Sequence, residues 1–150
     1  MECKSYFDIQ SESDCITVPN IKKWPAAGYG FTFYTWVRLD SRNHFPNNES
    51  YRRQLFSIST AAGTGMQIFF RADGTVVIGV TTKKEFLTAC ASDHPLLDEN
   101  WHCLVVSFMA ARRHFGHDQV CIYIDGTQRL SVSMKFPSLT EVSRLTQKKN

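Results

Sequence analysis

The 150-residue chain predicts an all-β sandwich or barrel, and three features carry that prediction. Apolar residues recur with a period of two in one segment after another, as in strands whose side chains alternate between faces. Asp73-Gly74 and Asp125-Gly126 each stand between β-branched or aromatic runs, where a hairpin reverses. No stretch before residue 136 shows helical spacing over a globular length. Many short strands joined by turns, without helices, bury their apolar faces by packing sheet on sheet or by closing one sheet.

The elements follow in order. Residues 5–10 and 15–18 are predicted strands, separated by a polar turn at residues 11–14. Residues 21–25 are irregular and end at Pro25. Residues 31–40 form the most informative strand: Phe31, Phe33, Val37 and Leu39 on one parity, Tyr34, Trp36 and Arg38 on the other. Aromatics on both sides predict a strand covered above and below, and replacing a buried Trp36 by Ala would cost about 3–5 kcal/mol. Residues 41–53 are a polar loop. Residues 54–60 alternate again, and residues 66–71 and 75–80 flank the first Asp-Gly pair. Residues 85–91 form a further strand. Residues 101–109 are apolar on both parities, which predicts a central strand. Residues 120–124 and 128–136 flank the second Asp-Gly pair, with Leu130, Val132, Met134 and Phe136 inward. The predicted core therefore includes Phe33, Trp36, Trp101, Val106 and Ile122, and Asp73, Gly74, Asp125 and Gly126 make the turns. Beyond Pro137, Ser138 and Glu141 have capping-box spacing, which predicts at most a short, frayed helix.

Composition narrows the class. With 43% hydrophobic and 21% charged residues the chain is expected to be globular, and no apolar run reaches the roughly 20 residues of a membrane helix. The start of the chain has no apolar core of a secretory signal. A net charge of +3, without a basic stripe, argues against nucleic acid. Five cysteines, an odd number with no CxxC pair, favour a reducing compartment.

Five motifs then occur in order: Ser5-Tyr-Phe-Asp-Ile-Gln10, Trp24-Pro25, Gly30-Phe-Thr-Phe-Tyr-Thr-Trp36, Trp101-His102 and Ile122-Tyr-Ile-Asp-Gly126. Together they resemble the concanavalin A-like, laminin-G-like lectin domain of BEACH-family proteins, nearest the neurobeachin-like members. The resemblance covers residues 5–141, taken as one domain within residues 1–141, with residues 142–150 a polar basic tail. It implies a two-sheet jelly-roll β-sandwich serving as a non-catalytic protein-interaction module of a large cytoplasmic scaffold in vesicle and membrane trafficking. Its expected partners are proteins of that scaffold, and membranes would be met only peripherally, through the parent protein. Members of the family continue into further strands, so the resemblance also implies a jelly roll missing its last strands. Glu141-Val-Ser143 is what an exon ending in a Glu codon gives when read through a splice donor, so an incomplete translation product is expected.

The motifs that could carry chemistry all have plainer explanations. His114 and His117 have the spacing of half a zinc site, but no second half accompanies them, and His102 and Cys103 point to opposite faces. Asp40, Asp73, Asp93, Asp98, Asp118 and Asp125 are scattered rather than gathered as calcium requires. No carboxylate pair shares a parity within an apolar strand, as a glycosidase would need, and no nucleophile elbow or phosphate loop occurs. No enzyme activity, metal or cofactor is expected. An extracellular glycan-binding lectin module is the alternative, with exposed aromatics stacking on sugar.

Overall fold

The computed structural model describes residues 5–11, 14–19, 21, 24–25, 28–40, 52–112, 116–135 and 139. None of these is helical, and eight strands make two four-stranded antiparallel sheets. The first sheet holds β1 (Gly30–Val37), β6 (His102–Met109), β7 (Gln119–Ile124) and β8 (Thr127–Ser133), in that order. The second holds β2 (Arg53–Ser59), β3 (Gly65–Phe70), β4 (Val76–Thr81) and β5 (Phe86–Cys90).

The core lies between the sheets and follows strand parity. Ile68, Val76, Ile78 and Val80 of the second sheet meet Leu104, Val106, Ile122 and Ile124 of the first, all fully buried. Cross-strand register aligns these layers: Val106 lies opposite Phe33 and Ile122, and Ile122 opposite Leu130. Phe33 is half-buried, its ring 4.9 Å from that of Phe56 across the gap between sheets. Phe31 stacks on Phe108 at 5.0 Å and meets Trp24 at 4.7 Å. Aromatic pairs at these distances add favourable ring contacts to the area they bury.

The two Asp-Gly hairpins differ in construction. Asp125 (φ 51°) and Gly126 (φ 80°) both sit in the left-handed region, so the β7–β8 turn is a two-residue type I′ reversal. In the β3–β4 connection only Gly74 has positive φ, at 80°. There Gly74 N–H returns to Arg71 C=O at 3.0 Å, and the Asp73 carboxylate accepts from Thr75 N–H at 2.8 Å. Asp73 thus shapes its turn by side-chain hydrogen bonding rather than by backbone conformation.

Three expectations need correction. Residues 5–10 and 15–18 form no strands, although the turn between them exists: the Asp14 carboxylate accepts from Gln10 and Ser11 N–H at 3.0 and 2.9 Å. Their apolar residues are exposed, Phe7 at 79%, because no described strand pairs with them. Among the described residues β1 is an edge strand, not a covered central one. Trp36 is no core residue; it is 48% exposed, because the even parity of β1 faces away from the second sheet. Of the proposed short helix only Leu139 is described, buried and in no regular element; its remaining residues, Phe136, the tail at residues 142–150 and His114 lie outside the described residues.

Candidate interaction surface

The outer face of the first sheet carries an unusual load of aromatic side chains. Tyr34 lies opposite Val105, which lies opposite Tyr123, and Trp36 lies opposite Cys103. Tyr34 is 61% exposed. Trp36 Nε1 donates to Tyr34 Oη at 3.0 Å, so the indole donor is satisfied without burial. At the C-terminal end of β1 the same parity brings Arg38 over two more rings, 5.5 Å from that of Trp101 and 5.8 Å from that of Tyr6. Tyr6 and Trp101 meet edge to face at 5.6 Å. Trp101 is half-buried, so its role joins this surface cluster rather than the interior. Contiguous exposed apolar surface with Trp, Tyr and Arg at its centre has the composition of protein-binding hot spots.

The other outer face is more closed. Arg52 covers Phe69 at 4.7 Å and Phe86 at 5.5 Å, and Phe69 is only 3% exposed. Gly79 makes room for Phe86: a methyl group there would come within 2.6 Å of the ring.

At one end of the sandwich His102 joins two loops. Its Nδ1 lies 2.7 Å from Asp125 Oδ2 and its Nε2 2.8 Å from Asp98 Oδ1, with the ring 11% exposed. Burial on its own would lower the imidazole pKa, but hydrogen bonds to both carboxylates and their charge outweigh it, and the pKa is raised. Asp98 is held well below the usual carboxylate range by the Asn100 side chain first and His102 second. For Asp125 burial acts upward, yet His102 and the Cys103 N–H (2.9 Å to Oδ1) prevail and lower it. When the imidazole is protonated, both ring nitrogens donate to carboxylates in an imidazolium clamp, and the ring has no lone pair for a metal or for general-base work. The clamp ties the β7–β8 turn to the loop before β6 and so holds the end of the sheet that bears Trp101.

Val106 and Ile122 are both 0% exposed, and the turn residues sit in their hairpins. Sequence reasoning did not connect Asp98, His102 and Asp125, which are separated along the chain. It also missed the Tyr6–Arg38–Trp101 cluster, although the shared parity of Tyr34, Trp36 and Arg38 was a usable signal. Among the described residues no group of three His, Cys, Asp or Glu side chains is placed to hold a metal ion.

The sequence has relatives. The family model of the concanavalin A-like lectin/glucanases superfamily matches residues 10–145. The chain belongs to that superfamily. It is also 26% identical over 138 residues to BEACH domain-containing protein B of Arabidopsis thaliana, an alignment covering 91% of this chain. The chain spans 5% of that relative's length. No solved structure matches. Membership of the superfamily and the likeness to a BEACH domain-containing protein support a carbohydrate- or protein-binding module. Among the described residues no helix is long and apolar enough to cross a membrane.

Proposed function

We propose that this domain is a protein-interaction module of a neurobeachin-like scaffold in membrane trafficking, without catalytic activity of its own. It would act in the cytoplasm, reaching membranes peripherally through the parent protein. The exposed Tyr34–Trp36 pair, continued by Arg38 and Trp101, is the observation that carries this reading. A sugar-binding surface would draw on polar side chains converging around an aromatic platform, whereas the groups beside Trp36 and Tyr34 are Cys103 and Val105. The carboxylates of Asp98 and Asp125 are both engaged by His102.

The test immobilises the wild-type chain and a Trp36→Ala/Tyr34→Ala variant in parallel. Cytosolic proteins are retained without calcium and identified by mass spectrometry, and both chains are also applied to a glycan array. Retention of trafficking proteins by the wild type and their loss from the variant supports the proposal. Equal retention by both chains removes the aromatic face from it, and binding to glycans alone replaces it with the lectin reading.

A further inference from the structure

Among the described residues no strand pairs with the outer edge of β1, which leaves an open strand template. Cys103 C=O accepts from Asp125 N–H toward β7, so odd residues of β6 turn their main-chain groups to β7 and even residues turn theirs to β1. Through the register Phe33↔Val106 and Thr35↔Leu104, the odd residues of β1 then bond β6. Gly30, Thr32, Tyr34 and Trp36 aim their N–H and C=O groups the other way. Among the described residues only one of these groups has a partner, Trp36 C=O, which accepts from the Thr35 hydroxyl at 3.1 Å.

Edge strands normally carry devices that discourage pairing: charges, prolines, bulges or shortness. The other three edges have them. β8 contains Arg129, β2 starts at Arg53 and is irregular between Gln54 and Phe56, and β5 has only five residues. β1 has eight residues, an unbroken register and no charge or proline. A cavity of about 750 Å³ opens at the start of β1 but extends over the neighbouring strands, with Ser107, Met109, His117 and Gln119 in its lining, so it lies on the β6 side of β1 and not along the free edge.

We propose that β1 binds an extended peptide segment of a partner protein by strand addition, with apolar residues along the segment and acidic residues at its ends. This deepens the protein-binding reading and rests on it. Main-chain pairing would satisfy the open groups of Thr32, Tyr34 and Trp36. Inward side chains of the added strand would cover Phe31, Phe33 and Val37, which are still half-buried at the margin of the core. Outward ones would lie beside Tyr34 and Trp36. Charge sets the ends. Arg38 stands at one end of β1, where Arg53 also binds Asp40 C=O at 3.2 Å, and Arg112 lies along Gly28 at the other. The Asp118 carboxylate accepts from Ala111 N–H at 2.8 Å. A second copy paired antiparallel would bring Arg38 toward Arg112, so like charges favour a different, acidic-ended partner.

Amide hydrogen exchange by NMR on the full chain tests this, with a synthetic peptide alternating valine and threonine between terminal aspartates. Thr32, Tyr34 and Trp36 amides should exchange rapidly in the free chain and slow at least tenfold with peptide. A version N-methylated along its pairing edge should give no protection, and one with terminal lysines should bind at least tenfold more weakly. Unchanged exchange with the aspartate peptide, or equal protection by the N-methylated one, overturns the proposal. Protection that grows with protein concentration before any peptide is added overturns it in favour of self-pairing. A Trp36→Ala/Tyr34→Ala chain that loses its cytosolic partners while keeping peptide protection would separate failure of strand addition as the partner mode from failure of the binding role.

Discussion

Ile122→Ala tests the assignment of inner and outer faces most directly. Ile122 is 0% exposed and faces Val106 and Leu130 on the two neighbouring strands. The change removes carbon groups whose transfer to water costs roughly 2.4 kcal/mol at about 0.8 kcal/mol each. Hydrogen bonding to β6 and β8 holds the backbone in place, so the site collapses little. A residual void of roughly 50 Å³ adds about 1.2 kcal/mol at about 24 cal/mol per Å³. The expected loss is therefore about 3–4 kcal/mol, or about 10 °C in Tm for a chain of this size. Trp36→Ala, on the opposite face of the same sheet, is the comparison. With Trp36 48% exposed, truncation uncovers roughly 100 Å² of apolar surface and leaves no closed void, an upper bound of about 2.5 kcal/mol. Urea titrations followed by far-UV circular dichroism should show both losses with an unchanged m value. A loss for Ile122→Ala below about 1.5 kcal/mol, or no greater than that for Trp36→Ala, would refute the face assignment.

Two further outcomes follow from the loops. Gly126→Ala should cost about 1–2 kcal/mol from its left-handed backbone alone, because nothing lies within 4 Å of the added methyl group. Gly74→Ala should cost more, since its methyl would also come within 2.6 Å of Leu97; equal thermal shifts for the two variants would contradict this. The His102 clamp predicts a pH window. A raised histidine pKa contributes stability fully below its unfolded value and loses it as pH rises through the folded value. The lowered pKa values of Asp98 and Asp125 contribute above their unfolded value and are lost as pH falls through the folded ones. The stability difference between wild type and His102→Gln should therefore be greatest between about pH 4 and 6.5 and shrink toward pH 9. A difference independent of pH would rule out a charged clamp.

The eight observed strands start within a residue of predicted ones, and all but β1 and β8, which stop three residues short, end within a residue of them, because period-two patterning and turn chemistry are local properties. Phe69 and Val77 show the limit of parity as a guide to burial: they point away from the gap between sheets, yet are 3% and 1% exposed. Residues 5–10 show a second limit. Alternation there was as regular as in several true strands, but a strand needs a partner edge, and a pattern along one segment does not state whether such an edge lies within reach.

What the sequence determined alone was the all-β class, the strands from β1 to β8, the two Asp-Gly reversals and the membership of Val106 and Ile122 in the core. Each follows from short-range side-chain alternation or from backbone preferences of one or two residues. Tertiary structure alone decided that β1 lies at an edge, that Trp36 faces outward with Tyr34, and that Asp98, His102 and Asp125 meet. Those outcomes depend on which strands become neighbours. That choice is made by burial of the whole interior at once, and no single segment encodes it.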